Sequence, residues 1–321
     1  MNLRVEVLLA AYCILIVLAS LAGGWLPSVI RLTHKRMQLI VSLVGGLMLG
    51  VGLFHMLPHA YYQIGSLERA MWWLMVGLLV MFFLVRTLHF HQHEPPELSE
   101  NADDHQHHDH EHDHDNDGHG HAHHHHQSSH RLSWIGVAAG LALHTLIDGI
   151  ALAASVQAEA AHADVTLVGL GTFLAILLHK PLDAVSITSL MAAGGWSATS
   201  RNLVNAGFAS MCPLGAAFFV LGVNRFVENQ HVVVGCALAF SAGVFVCISL
   251  GDLLPEIEFH SHDRLKLSAA LLLGVAVAYA IGLLESDHMH SHAHDAHAEP
   301  DSDVPADREH SHDEHDHGHE H

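Results

Sequence analysis

His144-Thr145-Leu146-Ile147-Asp148-Gly149 and His179-Lys180-Pro181-Leu182-Asp183 carry one pattern, H-x-x-x-D, offset by 35 residues. On a helix, positions i and i+4 lie one turn apart on the same face, so each stretch pairs an imidazole with a carboxylate. Both stretches lie inside apolar runs, at about 133–157 and 165–193. A charged group placed there costs about 2.5–3.5 kcal/mol on the membrane-insertion scale, and such groups mark function by default. Two such helices packed together would bring two imidazoles and two carboxylates to one point. That is a four-ligand set suited to a borderline divalent cation such as Zn²⁺, with both charges of the ion offset. The rival is a structural ion pair in which Lys180 neutralises Asp148 or Asp183. One cation against two carboxylates leaves one negative charge over.

Outward from this pair, the chain divides into apolar runs and polar tracts. Of 321 residues, 50% are hydrophobic and only 14% charged, whereas soluble domains carry about 25% charged residues. Crossing roughly 30 Å of hydrocarbon takes about 20 residues. Eight runs qualify, at about 5–30, 38–62, 70–90, 133–157, 165–193, 202–223, 231–256 and 266–285. Backbone groups in lipid must satisfy themselves, so each run is predicted to be helical. The expected fold class is therefore all-α integral membrane, an eight-helix bundle. The first run exceeds the roughly 7–15 residues of a signal-peptide core, which favours a span over a leader. Glycine pairs such as Gly45-Gly46 and Gly194-Gly195 sit in or beside the spans, where small residues let membrane helices approach closely. Trp72, Trp73 and Phe82 are expected to face lipid or the interface. Cys13, Cys212, Cys236 and Cys247 lie in apolar runs with no C-x-x-C spacing, and so suggest no metal or redox motif of their own.

The polar remainder is concentrated in two tracts. Segment 91–130 holds 15 of the 36 His and 10 acids, and 285–321 holds 11 His and 12 acids, so the net charge of −20 belongs mostly to these appendages. With 13 Lys and Arg in all, no basic footprint for nucleic acid exists. The tracts lack apolar residues to offset ordering entropy and are expected to be disordered. Their imidazoles and carboxylates suit weak, multisite capture of divalent metal, against the plainer role of a solubilising tail. The expected organisation is 1–90 with transmembrane helices one to three, a cytoplasmic loop at 91–130, 131–285 with helices four to eight, and a tail at 286–321. With the N-terminus outside, the inside loops carry Arg31, Lys35, Arg36, Arg86, Arg131, Arg201, Arg264 and Lys266, and the outside segments Arg4, Arg69, Arg225 and Arg308. Lys and Arg favour the cytoplasmic side. Both termini are therefore placed extracytoplasmic, in an inner or plasma membrane.

A second repeat couples spans two and seven, offset by 197: His55-Met56-Leu57-Pro58-His59 and Asp252-Leu253-Leu254-Pro255-Glu256. Each proline is expected to break its helix near the end and free backbone carbonyls. Span two runs outward and span seven inward, so the motifs fall at opposite membrane faces. Paired, proline-interrupted segments in inverted halves are a sequence sign of secondary transporters. His55 and His59 then mark an entrance, and Asp252 and Glu256 an exit. The plainer alternatives are a hydrogen-bonded packing role for His55 and a solvated cap at Asp252 and Glu256. Glu159 and Asp164 read as exposed loop acids without a role, and Ser186 and Ser189 as packing residues.

In this order and number, the motifs resemble those of the ZIP (Zrt-, Irt-like protein) family of divalent-metal transporters. The carriers are His144 to Gly149, His179 to Asp183, His55-Met56-Leu57-Pro58-His59-Ala60, and Ser241-Ala242-Gly243 followed by Asp252 to Glu256, together with the His-rich loop between spans three and four. The resemblance covers nearly the whole chain. It implies a 3+2+3 inverted-repeat architecture and a primary metal site on His144, Asp148, His179 and Asp183. It further implies no catalytic residues and no prosthetic cofactor, with Zn²⁺ as transported substrate and Fe²⁺, Mn²⁺ and Cd²⁺ as further candidates. The partners it implies are metal ions and the lipid bilayer, with a homodimer left open. Some family members hold a second metal at positions that here correspond to Thr145, Lys180 and Cys212, the last before Pro213. A fixed ammonium at Lys180 would repel a second cation, so one central metal is expected, with Lys180 supplying the second charge. Two other classes share parts of the pattern. Cation diffusion facilitator exporters have similar pairs and His-rich loops, but usually six spans and a soluble C-terminal domain. An intramembrane zinc hydrolase needs an open coordination position for water. No HExxH occurs in the apolar runs, and four protein ligands fill a tetrahedral site. The chain is therefore expected to be a transporter and no enzyme.

Overall fold

The computed structural model describes residues 3–29, 34–89, 127–160, 167–225, 227–259 and 264–295, with backbone only for 27–29, 34, 88–89, 127–134, 227, 252–259 and 284–295. Among the described residues every regular element is a helix, as the eight apolar runs predict. α1 spans Leu3–Val29. α2 (His34–Gly50) continues through a π-helical turn, Val51–Met56, into α3 (Leu57–Ile64). α4 (Leu67–His89), α5 (Gln127–Ala160) and α6 (Leu170–Ala193) follow. α7 (Ala198–Ala209) and α8 (Met211–Val223) together make a sixth span, and α9 (Gln230–Phe259) and α10 (Arg264–Asp295) complete the order. Among the described residues, eight stretches are long and apolar enough to cross a membrane. The bulk of both His-rich tracts, and Asp164, lie outside the described residues.

The prolines do not break their helices. Pro58 lacks the N–H that would bond back to Phe54, and the chain absorbs this by widening one turn. The Leu57 N–H reaches the Gly52 carbonyl, an i to i−5 bond. The span then continues to Ile64 and closes at Gly65, whose φ of 69° puts it in the left-handed region that glycine adopts freely. α6 runs through Pro181 without interruption, and α9 runs through Pro255. Neighbouring helices can re-satisfy the freed carbonyl in lipid, which makes proline tolerable there.

Four helix pairs pack most extensively: α1 with α6, α2 with α10, α4 with α9, and α5 with α8. Three of them meet through reciprocal glycines. A Cβ on Gly149 would strike the carbonyl oxygen of Cys212, and one on Gly215 that of Leu146. Gly46 and Gly274 do the same across α2 and α10, as do Gly77 and Gly243 across α4 and α9. With no hydrophobic drive between helices in lipid, such backbone approach supplies the packing. The pairs sort into two groups. One holds α1, α5, α6, α7 and α8, and the other α2, α3, α4, α9 and α10. Packing between the groups is thinner and is led by α5 against α9. Trp72, Trp73 and Phe82 are exposed on the bundle surface, as lipid-facing residues would be.

Candidate metal centre

α5 and α6 pack side by side within one group and bring the two H-x-x-x-D stretches together. His144 Nδ1 lies 3.5 Å from Asp148 Oδ1, and His179 Nε2 lies 3.3 Å from Asp148 Oδ2. One donor atom from each of His144, Asp148 and His179 falls within 4.8 Å of the others, and all three residues are buried. A tetrahedral ion with ligands about 2.0–2.1 Å away separates them from one another by roughly 3.4 Å. The trio can therefore close on one cation with small side-chain movements. His179 Nδ1 donates to the Ala175 carbonyl at 2.7 Å. That bond fixes the ring and leaves the Nε2 lone pair facing the cluster, as a backbone carbonyl does for metal-binding histidines.

Asp183 is not fully drawn in. Its Oδ2 stands 3.9 Å from both His144 Nε2 and His179 Nε2. Between it and Asp148 sits the ammonium of Lys180, 2.6 Å from Asp148 Oδ2 and 2.8 Å from Asp183 Oδ2. The same ammonium lies 3.1 Å from His179 Nε2, inside the ligand ring. The expected rival ion pair is thus present, and Lys180 engages both carboxylates. It does not satisfy the cluster. Both ring nitrogens of His144 and Oδ1 of Asp148 are buried without a hydrogen-bond partner. Buried polar atoms are nearly always paired, and each exception calls for an explanation. Two carboxylates against one ammonium also leave one net negative charge in a low-dielectric interior.

A cavity of about 810 Å³ reaches the cluster from one side and is lined by His144, His179, Asp183, Ser186, Leu190 and Cys247, among others. It opens toward the ends of the helices that border residues 30–33, 90–126 and 260–263. On the opposite side the next helix level is apolar: Val51, Leu152 and Ile176 are fully buried. Thr145 and Cys212, the remaining positions of a second metal, offer little. The Thr145 hydroxyl donates to the Leu141 carbonyl of its own helix at 2.7 Å, and Cys212 is fully buried where its backbone meets Gly149.

Beyond the apolar level lies a second polar cluster. His55 and His59 stack edge to face with centroids 4.9 Å apart. His55 Nε2 lies 3.0 Å from Glu159 Oε1. Glu159 is no exposed loop acid: α5 extends past it, and only 3% of it is exposed. The positions Asp148, Ser155 and Glu159 are i, i+7 and i+11 on one helix face, a spacing that would have connected Glu159 to the site had the span been extended by one turn. Asp252 and Glu256 lie near the C-terminal end of α9, and their side chains are outside the described residues.

A family model described as ZIP Zinc transporter matches residues 7–282. The chain is similar to Zinc transporter 3 of Arabidopsis thaliana, 25% identical over 245 residues that cover 73% of this chain and 70% of that protein. It is 24% identical over 298 residues to Zinc transporter ZIP9 of Xenopus tropicalis, covering 77% and 86%. Over a shorter stretch of 133 residues it is 32% identical to human Metal cation symporter ZIP8, covering 40% of this chain and 26% of that one.

Proposed function

The chain belongs to the ZIP family of multi-pass metal transporters, and from that premise we propose that it carries a divalent cation, Zn²⁺ foremost, into the cytoplasm through His144, Asp148, His179 and Asp183. The observation that carries this reading is the unsatisfied interior: the ring nitrogens of His144 and Oδ1 of Asp148 are buried without a hydrogen-bond partner, where one donor atom each of His144, Asp148 and His179 converges. A cation there would take up one ring nitrogen of His144 and the Asp148 oxygen, and would offset the surplus negative charge. The names of the similar proteins from Arabidopsis and Xenopus favour zinc among the candidate ions. Fe²⁺, Mn²⁺ and Cd²⁺ also accept nitrogen and carboxylate ligands.

Lys180 takes a defined part in this mechanism. The arriving ion and the ammonium compete for the same oxygens, Asp148 Oδ2 and Asp183 Oδ2. As the ion binds His144, Asp148 and His179, the ammonium withdraws from Asp148 and Asp183 becomes free to close the fourth position. The retained positive charge keeps the site mononuclear. Release reverses the exchange, with the ammonium returning to the carboxylates as the ion departs.

Alternating access requires two bodies. The ion ligands lie in the group of α1, α5, α6, α7 and α8, and the thin packing between groups supports movement of one against the other. Numbering the spans one to eight, the four tight pairs are 1·5, 2·8, 3·7 and 4·6. Exchanging 1 with 6, 2 with 7, 3 with 8 and 4 with 5 maps this set onto itself, which supports two inverted halves. The cavity opens on the side that the Lys and Arg distribution assigns to the cytoplasm, so the conformation described is inward-facing. Proteoliposomes loaded with wild type should accumulate ⁶⁵Zn, with competition by Fe²⁺, Mn²⁺ or Cd²⁺ ranking the ions. Asp148→Asn should abolish this accumulation, and unchanged uptake in that variant would remove the cluster from the pathway.

A further inference from the structure

His55, His59 and Glu159 sit about 16 Å from the midplane cluster, since Glu159 lies eleven residues beyond Asp148 on α5 and each residue rises about 1.5 Å. Three features distinguish this group from ordinary packing. One donor atom from each residue falls within 4.8 Å of the others, the spacing that also unites the midplane trio. His55 stands in the π-helical turn, a local irregularity that recurs at functional positions. Glu159 is held as an ionised ligand would be. Its Oε2 accepts the Gly169 N–H at 2.6 Å and its Oε1 accepts the Ser155 hydroxyl at 3.0 Å. Gly169 has φ of 75°, and that left-handed turn aims its N–H at the carboxylate.

The position is as informative as the chemistry. His55 and His59 belong to the group of α2, α3, α4, α9 and α10, while Glu159 belongs to the other. The 3.0 Å contact therefore bridges the boundary between the two bodies. On its inner side, the Thr172 hydroxyl donates to Ser155 at 2.9 Å. Ser155 and Thr172 each lie seven residues, two turns, from Asp148 and His179 on the same helix faces. A buried polar ladder thus descends from Glu159 toward the midplane ligands. On its outer side, one turn beyond His59, Gln63 Oε1 accepts from the exposed His231 Nδ1 at 3.0 Å.

We propose that His55, His59 and Glu159 form a second divalent-cation site, with ligands drawn from both helix groups. The site loads the transporter from outside and clamps the two groups together while occupied. Two neutral imidazoles and one carboxylate make an N₂O set with a fourth position open to water, the arrangement of an exchangeable zinc site. With the ion absent, the same atoms make the His55–Glu159 hydrogen bond. The ion's departure down the ladder exchanges a bridging metal for a single hydrogen bond, which loosens the boundary as the midplane fills. The role in transport rests on the function proposed above, whereas the capacity to bind does not.

Two measurements test it. In a chain carrying Asp148→Asn to disable the midplane, the native cysteines replaced, and His59→Cys, the introduced thiol is labelled with maleimide in nanodiscs under nitrilotriacetate-buffered Zn²⁺. Micromolar free Zn²⁺ should slow labelling about tenfold, and adding Glu159→Gln should remove that protection. Labelling indifferent to Zn²⁺ overturns the site whether or not the protein transports. In an otherwise wild-type chain, Glu159→Gln retains a hydrogen-bonding side chain at the boundary but loses the charged ligand. ⁶⁵Zn uptake by this variant should show a half-saturation about tenfold higher with a maximal rate within about twofold of wild type. Wild-type kinetics there would reduce the cluster to a structural latch and sink the proposal. Absence of uptake by the wild type would instead refute the transport reading and leave the labelling result to decide the site.

Discussion

Lys180 is among the largest fully buried side chains in the described structure, and its ammonium rests on both carboxylates of the α5–α6 cluster. A buried charge stripped of its partner typically costs about 3–5 kcal/mol. Lys180→Met should therefore lower the stability of the metal-free protein by about that amount, and Zn²⁺ should restore more of it than it adds to wild type. Thermal unfolding in detergent, with and without a fixed excess of Zn²⁺, measures both, because a ligand that binds only the folded state raises its apparent stability. A Zn²⁺ increment no larger than in wild type would mean that the ammonium and the ion do not share the carboxylates. The approach of His144, Asp148 and His179 was legible in the sequence because i, i+4 spacing sets an imidazole and a carboxylate on one helix face. The details were not. The sequence offered Lys180 as an ion-pair partner for Asp148 or Asp183, but its place against both at once depends on how α5 and α6 are rotated against one another. Glu159 escaped for a different reason: an acid beside a loop looks solvated until the helix is seen to continue through it.

At the scale of elements, the spans were readable and their irregularities were not. Apolar run length predicts eight crossings closely, since lipid thickness sets it. Proline suggested broken helices, yet the chain widens one turn at Val51–Met56 and otherwise carries on, because adjacent helices and an altered bond register absorb the missing donor. The glycines were recognisable as packing residues, although their reciprocal partners could only come from the fold. Gly149 adjoins Asp148 and meets the Cys212 backbone, so Gly149→Val should force α5 from α8. The expected cost is about 1–3 kcal/mol in unfolding free energy, with ⁶⁵Zn uptake reduced as the ligands spread. Gly207 on α7 has open space around it, and Gly207→Ala should be neutral or stabilising by up to about 1 kcal/mol. Equal losses in the two variants would show that helix approach is not what Gly149 supplies.

At the scale of the whole molecule, the cavity makes the proposed orientation testable. Cys247 lines it and is part-buried. A membrane-impermeant maleimide should modify it from the cytoplasmic side in inside-out vesicles, and Cys247→Ala should remove the signal. Labelling only from the opposite side would invert the topology. Binding needs neutral imidazoles and ionised carboxylates, and protons compete with the metal for both. Half-saturation for uptake should therefore rise as external pH is taken from about 7.5 to about 5. A flat profile would argue that the ion is not held by these groups. The His-rich segment is a separate matter. Deleting 91–126, which stops short of α5 at Gln127, should leave the half-saturation for uptake unchanged if the loop only buffers or senses metal.

The ammonium beside the two carboxylates also has a consequence for energy coupling. With neutral imidazoles, the vacant centre bears one net negative charge, and the centre loaded with a divalent ion and still containing Lys180 bears one net positive charge. In the inward transport proposed above, a cell interior that is electrically negative would draw the loaded form inward and push the vacant form back out, so both strokes of the cycle would run downhill in voltage. Each charge moved through the full field gains about 2.3 kcal/mol per 100 mV. Imposing an inside-negative diffusion potential on vesicles with outward-side-out protein should accelerate uptake, and replacing the lysine by a neutral residue should make the return stroke more voltage-sensitive and the inward stroke less so.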